Sequence, residues 1–121
     1  MYKYEECTGQ YFSELKELIP DIEFLQTTEI DIPDYVILKN SKPIGLIKFT
    51  DGNCIEWFEI FTEYRNKHIG KSAIVSILNE LKNETKYIRV QPQDKNVEIF
   101  WRKCGFIDPP AGYGSMLIYY F

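Results

Sequence analysis

Apolar residues recur at spacings of three and four over Ile69, Ala73, Ile74, Ile77, Leu78 and Leu81, which predicts one buried helix face and is the clearest helical signal in the chain. A second helix is expected after Thr8, a candidate N-cap whose hydroxyl can accept an orphaned backbone N–H. Tyr11, Leu15, Leu18 and Ile19 form its stripe and Pro20 stops it. A third starts after Asp94, presents Val97, Phe100, Trp101 and Cys104 on one side, and ends at Gly105. Strand-like runs cover 2–6, 35–39, 44–49, 54–61, 87–90, 106–107 and 116–121, and the stretch from Asp21 to Pro33 reads equally as a short helix or a loop. Short polar connections at 40–43 and 51–53 make the three runs after residue 34 an antiparallel meander. A full helix separates 54–61 from 87–90, so those two runs can lie parallel through a crossover. The expected order is β-α-β-β-β-α-β-α-β-β: an α/β (α+β) fold with a mixed, mostly antiparallel twisted sheet flanked by helices.

The chain has 121 residues, 45% hydrophobic and 16% aromatic, enough apolar surface for one core and too short for two, so residues 1–121 are expected to form a single domain. Disorder is excluded on the same ground. Three widely spaced cysteines and one histidine supply neither a disulfide framework nor a metal site, which points to a reducing, cytoplasmic setting and no metal. No apolar run approaches the roughly 20 residues that span a bilayer, so no membrane partner is expected.

A net charge of −4 argues against nucleic acid as a partner, because phosphate attraction supplies most of that affinity. The charge is uneven. Residues 1–34 carry nine acidic side chains against Lys3 and Lys16, whereas the remainder carries twelve Lys and Arg against nine acids. A basic half can meet a polyanion while an acidic half meets a cation; a solvated surface explains the same imbalance.

The basic half concentrates its charge where the clearest helix begins, in Arg65-Asn66-Lys67-His68-Ile69-Gly70-Lys71-Ser72. A helix start exposes unpaired N–H groups and the positive end of the dipole, so a loop entering it can hold a phosphate with backbone amides. Gly70 lets the backbone approach closely, and Ser72 offers a hydroxyl in the first turn. An ordinary basic flank is the plainer reading. Gly70-Lys71-Ser72 also resembles the end of a nucleotide-binding P-loop, but Arg65 stands where that motif needs its first glycine and the preceding strands are short hairpins instead of a buried parallel core.

The loop and the element order together resemble another family. Arg65-x-x-His68-x-Gly70 is similar to the R/Q-x-x-G-x-G/A pyrophosphate loop of the GNAT superfamily of acyl-CoA N-acyltransferases, with His68 in place of the first glycine. Asp94-x-x-Val97-x-x-Phe100-Trp101-Arg102-Lys103-Cys104-Gly105-Phe106 is similar to that family's N-x-x-A-x-x-[LF]-Y-x-K-x-G-F segment. The likeness runs from about Tyr35 to Phe106 and implies a GNAT-like fold in which a central parallel strand pair, here 54–61 and 87–91, splays apart to admit acetyl-CoA.

The resemblance implies that His68, Ile69, Gly70, Lys71 and Ser72 hold the pyrophosphate, with Arg65 and Lys67 as further counter-charges. The pantetheine arm is expected along Ile60 and Phe61 like an added strand, with a backbone N–H near Phe61 polarising the thioester carbonyl. An acceptor amine then attacks the thioester directly, and since an alkylamine is protonated at neutral pH a base must take its proton. Glu56 and Glu59 are the candidates. A regular strand points them to opposite faces, so only one lines the cleft unless a bulge intervenes; Glu56 is favoured, and an exposed strand carboxylate is the alternative for each. Trp101 stands where the family usually has a tyrosine that protonates the leaving thiolate; an indole cannot, so Trp101 is a cleft wall or core, and Tyr64 or Tyr113 becomes the candidate acid. The expected activity is transfer of acetyl to a primary amine, cationic if the acidic first third forms the acceptor wall, by a monomer or homodimer. The alternative is a non-catalytic acyl-CoA-binding module.

Overall fold

Thr8 ends the first strand and starts the first helix. In the computed structural model, which describes residues 1–112 and 114–121, β1 (Tyr2–Glu6) runs to Cys7, and α1 (Gly9–Leu18) begins with Thr8 Oγ1 accepting the N–H of Tyr11 at 3.1 Å. A cap of this kind contributes about 1 kcal/mol. The buried face of α1 is Phe12 and Leu15, while Leu18 is 79% exposed, so the expected stripe is rotated. Phe12 wins because Phe24, delivered by the segment after the helix, stacks on it edge-on at 5.5 Å. That segment, 21–33, forms neither helix nor strand.

The meander follows as β2 (Tyr35–Lys39), β3 (Lys42–Thr50) and β4 (Cys54–Ile60), then a 3-10 turn (Thr62–Tyr64), α2 (Ile69–Leu81), β5 (Tyr87–Val90), α3 (Lys95–Lys103) and β6 (Leu117–Tyr120). Among the described residues one sheet holds six strands in chain order, antiparallel throughout except for the parallel pair β4 and β5. The expected strand at 106–107 is reduced to one bridge between Ile107 and Ile118.

The two faces of the sheet carry separate cores. Val36, Leu38, Leu46 and Phe61 pack with Phe12, Leu15 and Phe24 from the α1 side. Ile37, Ile47, Ile55 and Ile88 pack with Ala73, Ile74, Ile77 and Leu78 of α2 and Trp101 of α3. The alternation of Val36, Ile37 and Leu38 between clusters is the period of two that a strand imposes, and each buried large side chain contributes about 1.5–3 kcal/mol. Asp94 caps α3 through the N–H of Val97 at 2.9 Å, and Gly105 closes it at φ 103°.

Two irregularities shape β4. Its pairing with β3 passes from Lys48↔Trp57 to Phe49↔Ile55, which leaves Glu56 as the extra residue of a bulge. Its pairing with β5 consists of Cys54↔Arg89 and Ile55↔Val90 alone, after which β4 continues to Ile60 with β5 already ended. The central pair is therefore joined at one end and parted at the other.

Candidate functional site

The parting opens a cleft of about 1010 Å³, walled by Ile55–Ile60 of β4, by Tyr64–Lys71 without Lys67, by Val90 at the end of β5 and Gln91 just beyond it, and by the inner face of α3. Its floor is backbone. The N–H of Phe61 donates to the carbonyl of Ile44 at 2.8 Å, toward β3. Strand alternation then turns the N–H and C=O groups of Phe58 and Ile60 the other way, toward the missing β5. Arg65 Nε donates to the carbonyl of Ile60 at 2.7 Å, so the N–H groups of Phe58 and Ile60 and the carbonyl of Phe58 form an open strand edge.

The mouth is the start of α2. His68 is the N-cap in a left-handed conformation, φ 58° and ψ 15°, and Asn66 before it has φ 62°. The first helical bond runs from the N–H of Ser72 to the carbonyl of His68 at 3.4 Å. The N–H groups of His68, Ile69, Gly70 and Lys71 thus precede the ladder and have no partner among the described residues. Those donors, the dipole behind them and the open edge alongside match a diphosphate joined to an extended amide chain. Gly70 has a structural reason as well: a β-carbon there would stand 3.2 Å from Cε1 of Phe100, whose ring stacks on Phe58 at 6.0 Å.

Of the residues expected at the cofactor, Ile60, Arg65, His68, Ile69, Gly70, Lys71 and Trp101 line the cleft. Lys67 and Ser72 are exposed outside its wall. Phe61 is a correction: its N–H is spent on β3 and its side chain is buried in the α1-side core, so Phe58, and not Phe61, shares the open edge with Ile60. Trp101 is 4% exposed and meets Phe100, Phe106 and Phe58 at 5.0–5.8 Å, a packing role with one edge on the cleft. Phe58, Gln91, Asn96, Phe100 and Lys103 also line the wall; they lie in the splayed strands and the Asp94–Phe106 segment that the resemblance implicates, but the sequence singled out none of them individually as a wall residue. The helical stripe identified Phe100 as core, and the splay, which exposes one side of that stripe, has no local signature.

Both glutamates line the cleft because the bulge puts Glu56 out of phase, yet their surroundings differ. Glu59 is 4% exposed and its carboxylate accepts the N–H of Glu23 at 2.8 Å, the N–H of Phe24 at 3.1 Å and Trp57 Nε1 at 3.1 Å. Arg65 Nη2 lies 3.9 Å from it and 3.0 Å from Glu23. Its acceptor capacity is committed to tying the segment after α1 onto β4. The Glu56 carboxylate is 51% exposed, with Lys48 Nζ at 3.7 Å. Tyr64 lines the cleft, and Tyr113 lies outside the described residues.

The thiols are buried. Burial pushes Cys7 up to about 11, reinforced by Asp34, and pushes Cys104 up to about 11 against the opposing charge of Lys71. Burial also raises Cys54, whose position beside Arg89 works the other way. Among the described residues, no group of three or more His, Cys, Asp or Glu is placed to hold a metal ion, and no helix is long and apolar enough to cross a membrane.

The family described as "Acetyltransferase (GNAT) family" matches residues 3–106. No curated protein matches the chain. Among solved structures, aminoglycoside acetyltransferase AAC(6')-Ib in complex with coenzyme A superposes with TM-score 0.69 at 16% identity, over 99% of this chain and 95% of that one. PaiA N-acetyltransferase from Thermoplasma acidophilum, in complex with coenzyme A, gives 0.64 at 15%, over 100% and 99%. Ard1 from Thermoplasma volcanium gives 0.66 at 12%, over 98% and 97%. At these identities the likeness is one of fold.

Proposed function

The chain belongs to the acetyltransferase (GNAT) family, and from that premise we propose that it transfers an acetyl group from acetyl-CoA to a primary amine in the cleft beside β4. The observation that carries this reading is the continuity of donors, from the unpaired N–H groups at the start of α2 to the open edge at Phe58 and Ile60.

Acetyl-CoA, when bound, supplies an activated acetyl thioester. The chain's own part begins with binding: the amides of His68 to Lys71 hold the diphosphate, and Lys71 and Lys103, both on the cleft wall, neutralise phosphate charge. Arg65 contributes less there, because Glu23 and Glu59 already answer its guanidinium. Phe58 and Ile60 pair with the amide arm as a neighbouring strand would, and their N–H groups polarise the thioester carbonyl. Glu56 takes the proton of the acceptor ammonium, since of the two cleft glutamates it is the half-exposed one and accepts no hydrogen bond among the described residues, with only the Lys48 ammonium at 3.7 Å. Tyr64, a phenol on the same wall, or water returns a proton to the sulfur. Glu23, which lines the cleft at the end of the acidic segment tied to Glu59, favours a cationic amine.

A panel of small amines, polyamines and lysine peptides incubated with acetyl-CoA tests this, with free thiol as the readout. The reading expects turnover with at least one amine and a loss of about 10²-fold or more in Glu56→Gln at unchanged acetyl-CoA affinity. One observation favours a second reading, a non-catalytic acyl-CoA-binding module: Trp101 leaves α3 without a phenol at the cleft. Saturable acetyl-CoA binding with no transfer to any amine supports that module instead.

A further inference from the structure

Lys48 stands opposite Trp57 on β3, and its ammonium reaches the bulge of β4: Nζ is 3.7 Å from Glu56 Oε2 and 4.0 Å from Asp31 Oδ1. A primary amine of this chain is therefore already held beside the carboxylate that the preceding section makes the proton acceptor. Glu56 lines the closed end of the splay, beside the last β4–β5 pair, Ile55 and Val90, and Lys48 stands behind it on β3, outside the cleft wall. Lys48 keeps 19% of its side chain exposed, so it is neither sealed in the core nor free to wander from the carboxylates. The bulge produces the juxtaposition, because the extra residue brings Glu56 to the cleft while Lys48 approaches from the neighbouring strand.

Resting on the acetyl-transfer reading of the cleft, we propose that Lys48 is itself an acceptor, acetylated in cis by acetyl-CoA bound to the same chain. Glu56 removes one proton from the Lys48 ammonium. The freed lone pair forms the N–C bond to the acetyl carbonyl as the C–S bond breaks, the sulfur leaves with that electron pair and is protonated to the thiol, and the second proton lost by nitrogen passes to solvent. A lysine ammonium and acetyl-CoA become acetyl-lysine, coenzyme A thiol and one proton. The product changes the site: the positive charge between Asp31 and Glu56 is gone, and the surroundings of Glu56 become more acidic by one unit. A cationic amine is then drawn to a wall that Lys48 previously neutralised. Self-acetylation thereby removes the chain's own ammonium from Glu56 and leaves that carboxylate open to another amine.

The test is peptide mass spectrometry of the full chain incubated with acetyl-CoA and no other amine. The exposed Lys3 and Lys82 report the background of direct chemical acetylation. The expected result is one acetyl group at Lys48, acquired at a rate per molecule that does not change on dilution, absent in Lys48→Arg and slowed about 100-fold in Glu56→Gln. Lys48→Arg keeps the charge, and melting curves of every sample establish that each variant is folded. Labelling of Lys48 no faster than Lys3 or Lys82, or equally fast in Glu56→Gln or in the urea-unfolded chain, overturns the proposal. The same melting curves separate the two failures. Stabilisation by acetyl-CoA without Lys48 labelling sinks self-acetylation alone, and no stabilisation and no labelling sinks the reading of the cleft as well.

Discussion

The indole N–H of Trp57 donates to Glu59 Oε1 at 3.1 Å, within one strand and on one face of it. With the N–H groups of Glu23 and Phe24 on the same carboxylate, three donors depend on one buried side chain. Glu59→Gln offers them one carbonyl oxygen and sets an amide N–H₂ against a donor, so it is expected to destabilise the fold by about 2 kcal/mol. Glu56→Gln, at an exposed pair, is expected to change stability by less than about 0.5 kcal/mol. Urea unfolding of the two variants checks the contrast, and equal midpoints would mean that Glu59 does not hold the segment after α1.

His68 occupies a left-handed backbone position that costs an ordinary side chain about 1 kcal/mol. His68→Gly removes that cost and gives part of it back through greater freedom of the unfolded chain, so a gain of up to about 1 kcal/mol is expected. His68→Val, with its branch at Cβ, is expected to lose about 1 kcal/mol or more. Both keep the amides of α2, so calorimetry should find acetyl-CoA affinity preserved in the glycine variant.

These two predictions mark where the sequence was legible and where it was not. The cap at Thr8, the α2 stripe, the Asp94 cap and the parallel pairing of β4 with β5 all follow from local spacing, and the structure contains them. The bulge at Glu56 depends on the register of β3 against β4, which no single strand encodes. Burial of Glu59 was equally hidden, because a charged residue in a strand reads as exposed until the backbone donors of Glu23 and Phe24 arrive from another segment. The direction of the Phe61 N–H was hidden for the same reason: only the pairing with Ile44 decides it.

Lys71 and Lys103 approach the cleft from α2 and α3, and each is expected to carry part of the phosphate charge. Lys71→Gln and Lys103→Gln should each weaken acetyl-CoA binding by roughly threefold to tenfold and flatten its dependence on salt. Arg65→Gln should cost less affinity, since its charge faces Glu23 and Glu59. Titrations at low and high ionic strength check the ranking.

Cys7 and Cys104 are raised from an ordinary 9.0 to about 11 in the folded chain. Between those values the unfolded state has released the thiol protons and the folded state retains them, so stability falls as pH rises from about 9 to 11 and is independent of these groups below that window. Cys7→Ala/Cys104→Ala should show a shallower fall over the same range in urea midpoints measured against pH. At neutral pH iodoacetamide should leave both thiols of the native chain unlabelled and modify them once the chain is unfolded.

The central claim is that the parted strands and the start of α2 form one binding surface, and amide NMR spectra recorded during a titration with acetyl-CoA test it most directly. The account predicts saturable shifts concentrated at the N–H groups of Phe58, Ile60, Ile69, Gly70 and Lys71, with Phe61, bonded to Ile44, moving least among its neighbours. Spectra unchanged at these amides at millimolar acetyl-CoA, or shifts confined to a different face of the sheet, would contradict it.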